Sequence, residues 1–157
     1  MLLFLDTIPY ITIFIFGITI GSFLNVCIYR LPLGESVVTA PSHCMTCGRK
    51  LRWYDMVPVF SWLVLGGKCR NCKSEISVQY PIIEGVNGIL YVVIFAVNGL
   101  VWSSVIYCLM ASAFLVLSVI DWRTYEIPFG INVFLFVLGV VMAVLDRGNL
   151  AEHLIGM

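Results

Sequence analysis

Four cysteines stand in two C-x2-C pairs separated by 21 residues: Cys44, Cys47, Cys69 and Cys72. Each pair can present two sulfurs from one tight turn, and two such turns can complete the tetrahedral thiolate shell that zinc prefers. Gly48 directly follows the first pair and allows a tight turn of the backbone beside the sulfurs. Because four protein ligands leave no open coordination position, the pattern predicts a structural zinc site.

Two other uses of these cysteines stay open on spacing alone. Disulfide bonds need an oxidising compartment, and the C-x2-C pairs of a membrane thiol oxidoreductase should face such a compartment. Basic residues adjoin the pairs and would offset the negative charge of a four-thiolate zinc site: Arg49, Lys50, Lys68, Arg70 and Lys73. The other two cysteines, Cys27 and Cys108, lie in apolar runs, so we expect them to be small buried residues.

A single aspartate, Asp121, stands where a long apolar run gives way to the polar stretch DWRTYEIP. A carboxylate at the C-terminal end of a helix faces the negative end of the helix dipole, which costs roughly a few tenths of a kcal/mol. The position leaves two interpretations open. Asp121 is either a functional carboxylate at the membrane edge, or a residue that marks the water boundary or caps the next turn.

The elements that must position these residues are membrane-spanning helices. The sequence is 61% hydrophobic and 11% charged, with a mean hydropathy of +1.00, whereas soluble domains are about 25% charged. Four apolar runs approach the roughly 20 residues that cross a bilayer: residues 8–29, 81–101, 102–120 and 129–145. The second and third meet at Asn98-Gly99, a tight-turn signal that predicts an antiparallel hairpin. The sequence therefore predicts an all-α, polytopic transmembrane helix bundle in a lipid bilayer. Its zero net charge gives no support to a nucleic-acid partner.

A polar segment, residues 31–80, separates the first two runs and holds both cysteine pairs. Seven of the nine basic residues lie in it or at its edge, where Arg30 stands. The positive-inside rule therefore predicts a cytoplasmic segment and an N-terminus outside. We divide the chain into a first span over 1–30, a small cytoplasmic zinc-binding module over 31–80, and a transmembrane bundle over 81–157.

Two shorter stretches are apolar but cannot cross a membrane. VPVFSWLVLGG, which begins at Val57 between the cysteine pairs, is expected either to lie in the membrane interface or to pack on the zinc module. LAEHLIGM, at residues 150–157, opens a new apolar run and stops at once. We therefore expect the sequence to be a truncated piece of a longer protein.

Four stretches together resemble the type IV prepilin peptidase family in order and spacing: GSFLNVCIYRLP (21–32), PSHCMTCGRKLRWYDMVPVFSWL (41–63), GKCRNCKSEISVQYPIIE (67–84) and DWRTYEIP (121–128). The resemblance implies a multi-pass enzyme of the bacterial inner membrane. Such enzymes remove the leader of type IV prepilins and pseudopilins at the cytoplasmic face. Many members also methylate the new N-terminus, so S-adenosylmethionine is a cofactor expected by resemblance.

The resemblance also assigns a catalytic residue. Asp121 matches the first catalytic aspartate of the family, which opens a D-x5-I-P motif. An aspartic protease needs a second carboxyl group, so that one draws a proton from water while the other polarises the peptide carbonyl. The family takes the second aspartate from a G-x-G-D motif, and this sequence contains no Gly-Asp pair. We therefore expect the 157-residue chain alone to be inactive as a peptidase.

Further residues match the family near the first two spans, where the resemblance implies a substrate or methylation region: Gly21, Ser22, Asn25, Arg30 and Glu84. From the residues themselves, Gly17 and Gly21 form a small-xxx-small pattern that lets helices approach closely. Glu84 is expected either to meet Arg30 across the bundle or to favour a helix N-terminus.

A function of another class also fits the sequence. A non-enzymatic membrane scaffold could use its zinc module to bind a cytoplasmic partner of a pilus or secretion machine. Proteolysis requires a second carboxylate in the intact gene product, whereas a scaffold does not.

Overall fold

The computed structural model describes residues 2–39 and 41–145, with side chains from Thr7 onward. Five α-helices follow one another: α1 Leu2–Arg30, α2 Phe60–Val64, α3 Gln79–Asn98, α4 Trp102–Thr124 and α5 Phe129–Leu145. Two 3₁₀ turns, Leu31–Leu33 and Trp53–Met56, lie between α1 and α2. In this part of the chain there is no β-strand, only two isolated bridges, so the predicted helical class is confirmed. The apolar stretch predicted at residues 150–157 lies outside the described residues.

Three helices are long and apolar enough to cross a membrane: α1, α3 and α4. The fourth predicted span corresponds to α5, an apolar helix of 17 residues that is shorter than the roughly 20 usually needed. The predicted end of the third span at residue 120 is too early, because α4 continues to Thr124. Hydropathy places the end where polar residues begin, whereas the backbone hydrogen bonds continue for another turn, up to the Tyr125 amide on the Asp121 carbonyl (2.9 Å).

The centre of the bundle is a close crossing of α1 and α3. A Cβ atom added at Gly17 would lie 2.7 Å from the Cα of Gly88, and one added at Gly21 would lie 2.7 Å from the Cα of Glu84. No side chain fits at either distance, so the predicted small-xxx-small packing is confirmed. An apolar cluster from α1, α3, α4 and α5 continues this contact: Leu24, Ile28, Ile83, Ala113, Val116, Ile120 and Ile131.

A chain of buried polar groups links the three longest helices. The Asn87 side chain is fully buried; it donates to the Gly17 carbonyl (2.8 Å) and accepts from the Ser112 hydroxyl (2.9 Å). The Tyr91 hydroxyl lies 3.0 Å from the Ser112 hydroxyl. Polar side chains in apolar surroundings need such partners. Asn87 therefore fixes the register of α1 against α3 and α4.

The connection between α3 and α4 is the tight turn that Asn98-Gly99 predicts. Gly99 has a φ of 81°, which favours glycine, and the Ser104 hydroxyl donates to its carbonyl (2.7 Å). The two helices pack as an antiparallel hairpin. The end of α4, with Asp121, therefore returns to the side of the bundle where α3 begins.

Candidate functional site

The four cysteine sulfurs of the two pairs come together. All four Sγ atoms lie within 4.8 Å of one another, and those of Cys44 and Cys72 are 3.8 Å apart. A tetrahedral zinc ion with bonds of about 2.3 Å places its sulfur ligands about 3.8 Å apart. The donor set and its spacing therefore fit zinc, with Cys47 and Cys69 as the other two ligands.

The two pairs adopt the same backbone turn. The Gly48 amide donates to the Cys44 carbonyl (2.9 Å), and at the equivalent place the Lys73 amide donates to the Cys69 carbonyl (3.0 Å). The φ angles of Gly48 and Lys73 are 67° and 60°. Glycine adopts this left-handed conformation freely, whereas it costs other residues roughly 1–2 kcal/mol. Sequence reasoning found the first turn through Gly48 but had no comparable signal for Lys73.

The surroundings of two of the four sulfurs favour the thiolate form, whereas the pKa of the Cys47 thiol is raised. Hydrogen bonds from the backbone amides of Cys47 and Thr46 lower the pKa of the Cys44 thiol to about 6. The Ser74 hydroxyl and amide lower the pKa of the Cys72 thiol. Thiolate is the form of cysteine that binds metal. Part of the donor set therefore has the required charge at neutral pH.

A cavity of about 730 Å³ opens between the end of α1, the start of α3 and the segment with the cysteines. This volume lies within the range of small-molecule sites. Four of the five residues from the predicted substrate or methylation region line it: Ser22, Asn25, Arg30 and Glu84. The fifth, Gly21, allows α1 to approach the backbone of Glu84.

Asn25 presents an unused acceptor in this cavity wall. Its side chain is 1% exposed, and its Nδ2 donates to the carbonyls of Tyr80 (3.2 Å) and Gly21 (3.4 Å). Both neighbours are acceptors, which fixes the orientation of the amide. Its Oδ1 has no hydrogen-bond partner within the described part of the chain. A bound molecule with an N–H or O–H group could supply the missing donor.

Glu84 contacts the segment between the cysteine pairs. Its side chain is buried, its Oε2 accepts the backbone amide of Val59 (2.6 Å), and the Ser22 hydroxyl lies beside the carboxylate. Arg30 donates to the carbonyls of Ser36 (3.0 Å) and Pro41 (3.3 Å). The amide of Val59 is a partner of Glu84 that sequence reasoning missed, because nothing local in the sequence pairs residues 25 positions apart.

Asp121 lies in the last turn of α4 and is exposed. Two residues later, the Arg123 guanidinium lies 4.4 Å from the centre of the Tyr29 ring, and Tyr29 stacks on Tyr80 with their centres 5.6 Å apart. Both tyrosines line the cavity, whereas Asp121 is not among its lining residues. The turn with Asp121 therefore meets the edge of the cavity without entering it. The sequence offered one signal for the contact between Tyr29 and Tyr80: both lie at the ends of apolar runs, where tyrosine is enriched at the membrane interface.

Comparison with known proteins places these features in a family. Residues 15–98, more than half of the chain, match the family described as bacterial peptidase A24 N-terminal domain. A prepilin leader peptidase/N-methyltransferase of Myxococcus xanthus is 36% identical over 131 residues, 83% of this chain and 39% of the relative. The protein of the same name from Xanthomonas campestris is also 36% identical, over 80% of this chain and 52% of the relative.

A third relative with that name, from Vibrio cholerae, is 42% identical over 86 residues, which are 48% of this chain and 34% of the relative. The chain thus spans between about a third and a half of the length of these relatives. No solved structure matches it. From the matched domain and these relatives, the chain belongs to the type IV prepilin peptidase family.

Proposed function

We propose that the intact protein is a membrane aspartic endopeptidase that cleaves the leader of type IV prepilins or pseudopilins at the cytoplasmic face. The observation that carries this proposal is the position of Asp121 within a chain of this family. It opens the D-x5-I-P motif, is exposed, and lies in the last turn of a helix long enough to cross a membrane. A carboxylate in that position can reach a peptide bond at the membrane surface.

The proposed chemistry needs two carboxyl groups. One draws a proton from the attacking water, and the other, protonated, polarises the carbonyl of the scissile bond. Asp121 is the proposed first member of this pair. The sequence has no Gly-Asp pair to supply the second in the manner of the family. We therefore propose that the 157-residue chain by itself does not cleave prepilins.

The segment over residues 31–80 is the proposed cytoplasmic zinc module, and the N-terminus is placed outside. Seven of the nine basic residues lie in this segment or at its edge, which supports that orientation. Cys44, Cys47, Cys69 and Cys72 would hold the zinc ion. When bound, the ion cross-links two turns that are distant in sequence and so stabilises the module.

The cavity is the proposed site of N-methylation. S-adenosylmethionine, when bound, supplies an electrophilic methyl group to the amine of the cleaved peptide. Asn25 Oδ1 would accept a hydrogen bond from an N–H group of a bound molecule, and the Glu84 carboxylate would accept the proton that the peptide amine must lose before it can take up the methyl group. Both groups are held by the packing of α1 on α3, so they are positioned before anything binds.

A chimera tests this function. Residues 1–145 of this chain replace the corresponding part of the Myxococcus xanthus relative, which keeps its own C-terminal part. In membranes we expect the chimera to cleave a prepilin and to transfer a labelled methyl group to the product. The 157-residue chain alone should leave the prepilin leader uncut.

Asp121→Asn in the chimera should abolish cleavage, because an amide cannot take up the proton. Glu126→Gln is the matched control, since it removes a nearby exposed carboxylate and should leave cleavage intact. Cleavage by the Asp121→Asn chimera would exclude the proposed role. A folded chimera that cuts nothing would favour the scaffold function instead.

A further inference from the structure

One face of the segment between the cysteine pairs consists of exposed apolar side chains. Five large ones lie within twelve residues, do not line the cavity, and define what we call the outer face: Trp53, Val57, Phe60, Leu63 and Val64. The last three belong to α2 and are 62%, 60% and 82% exposed. Several large apolar side chains exposed close together on a folded segment indicate a contact surface.

The opposite side of α2 packs inward, so the orientation of the outer face is fixed. Trp62 donates from Nε1 to the Ile76 carbonyl (3.1 Å). Its ring covers Gly67, where an added Cβ would lie 2.9 Å from the ring, and the Gly67 φ of 68° also favours glycine. Because Trp62 is held in this way, Phe60, Leu63 and Val64 cannot turn inward together.

A strained turn at the start of α2 supports the same orientation. Val59 has φ 60° and ψ −52°, and the Phe60 amide donates to the Pro58 carbonyl. This is the rare, strained form of γ-turn, and a positive φ is a true outlier for a β-branched residue. Such a conformation persists only where the surroundings fix it. Here the Glu84 carboxylate does so by accepting the Val59 amide.

That hydrogen bond sets the depth of the segment. Glu84 is five residues beyond Gln79, the first residue of α3, so it lies about 7.5 Å along the helix axis at 1.5 Å per residue. α3 is one of the helices able to cross a membrane. Elements that lie in a membrane interface insert about 5–10 Å. For an α3 that enters the bilayer at its first residue, this places Val59 at interfacial depth.

We propose that the outer face is a membrane anchor, whose occupant is the lipid bilayer on the side of the cysteine cluster. The apolar side chains of α2 insert between lipid headgroups and the first carbons of the acyl chains. This fixes the module against the membrane, with the cavity and the cysteine cluster at the membrane surface. The inference goes beyond the proposed enzyme activity and does not depend on it.

Photocrosslinking of the full chain in phosphatidylcholine–phosphatidylglycerol vesicles tests the anchor. The photoreactive amino acid p-benzoylphenylalanine replaces Val64 in one variant and Met45 in another. Met45 is apolar and 81% exposed, close to the 82% of Val64, but lies in the turn of the first cysteine pair. After illumination, mass spectrometry measures the fraction of protein that carries a lipid adduct.

We expect the adduct yield at Val64 to be several times that at Met45. A third variant with the same replacement at Phe60 should behave like Val64, which guards against a local effect of one substitution. Equal adduct yields at the three positions would contradict the proposal that the outer face is a membrane anchor. Dominant crosslinks from residue 64 to a second copy of the chain would also overturn it and would assign the outer face to a protein partner.

Discussion

At the scale of single residues, the two cysteine turns illustrate how one backbone can be built from different side chains. Gly48 and Lys73 occupy equivalent places with left-handed φ angles. The cysteine cluster does not need glycine at both places. A zinc ion, when bound, would offset the roughly 1–2 kcal/mol that the left-handed conformation of Lys73 costs.

Replacement of cluster cysteines should remove the metal. We expect about one zinc ion per chain in the purified protein, and its loss in Cys44→Ser and Cys72→Ser, because a four-ligand structural site tolerates few losses. Mass spectrometry with an inductively coupled plasma measures the metal. Cys27→Ala and Cys108→Ala are the controls, as these two cysteines lie outside the cluster in α1 and α4. Zinc-free wild-type protein whose cysteines change redox state would point to a thiol oxidoreductase.

At the scale of helices, the crossing of α1 and α3 depends on the absence of side chains. The added Cβ of Gly21→Ala would lie 2.7 Å from the Cα of Glu84, and backbone cannot move aside cheaply. Overpacking of this kind costs about 1–3 kcal/mol. We therefore expect Gly21→Ala to lower the free energy of unfolding by about that amount.

Gly85→Ala is the matched control for this prediction. It lies one residue from Glu84 in α3, and an added Cβ there meets nothing within 4 Å. Alanine should stabilise the helix interior by about 0.5–1 kcal/mol. Thermal unfolding in detergent micelles, followed by tryptophan fluorescence, compares the two variants. Equal unfolding midpoints would show that the crossing is looser than the structure has it.

At the scale of the whole molecule, two parts meet at the Tyr29 ring. One part is the α1–α3 pair with its cavity, and the other is the end of α4 with Asp121. The Arg123 guanidinium lies 4.4 Å from the ring centre and connects them. Such a contact at an exposed site is worth about 0.5–1 kcal/mol.

A double-mutant cycle measures this connection. Arg123→Ala and Tyr29→Leu should each destabilise the protein, and the double variant should lose less than their sum by about 0.5–1 kcal/mol. Tyr29→Phe keeps the face of the ring and should retain most of the coupling. Thermal unfolding provides the readout. Strictly additive losses would mean that Arg123 and Tyr29 do not connect the two parts.

The sequence by itself determined the features that depend on residues close together along the chain. Apolar runs of membrane length located both ends of α3, α4 and α5 and the end of α1 to within four residues, because a helix that crosses hydrocarbon must be apolar along its length. The start of α1 was missed, since the helix begins at Leu2 and the run was predicted from residue 8. The C-x2-C spacing identified all four members of the cysteine cluster. The asparagine-glycine pair located the hairpin turn, and the combined motifs identified the family.

Only the tertiary structure decided which distant residues meet. It brought Glu84 to the Val59 amide, Asn87 between Gly17 and Ser112, and Arg123 over Tyr29. It also divided the apolar stretch after Val57 between an inward Trp62 and an outer face, where the sequence had left both orientations open. These contacts depend on the distance and register at which helices cross. Those quantities arise from side-chain packing between elements, which no local pattern of residues encodes.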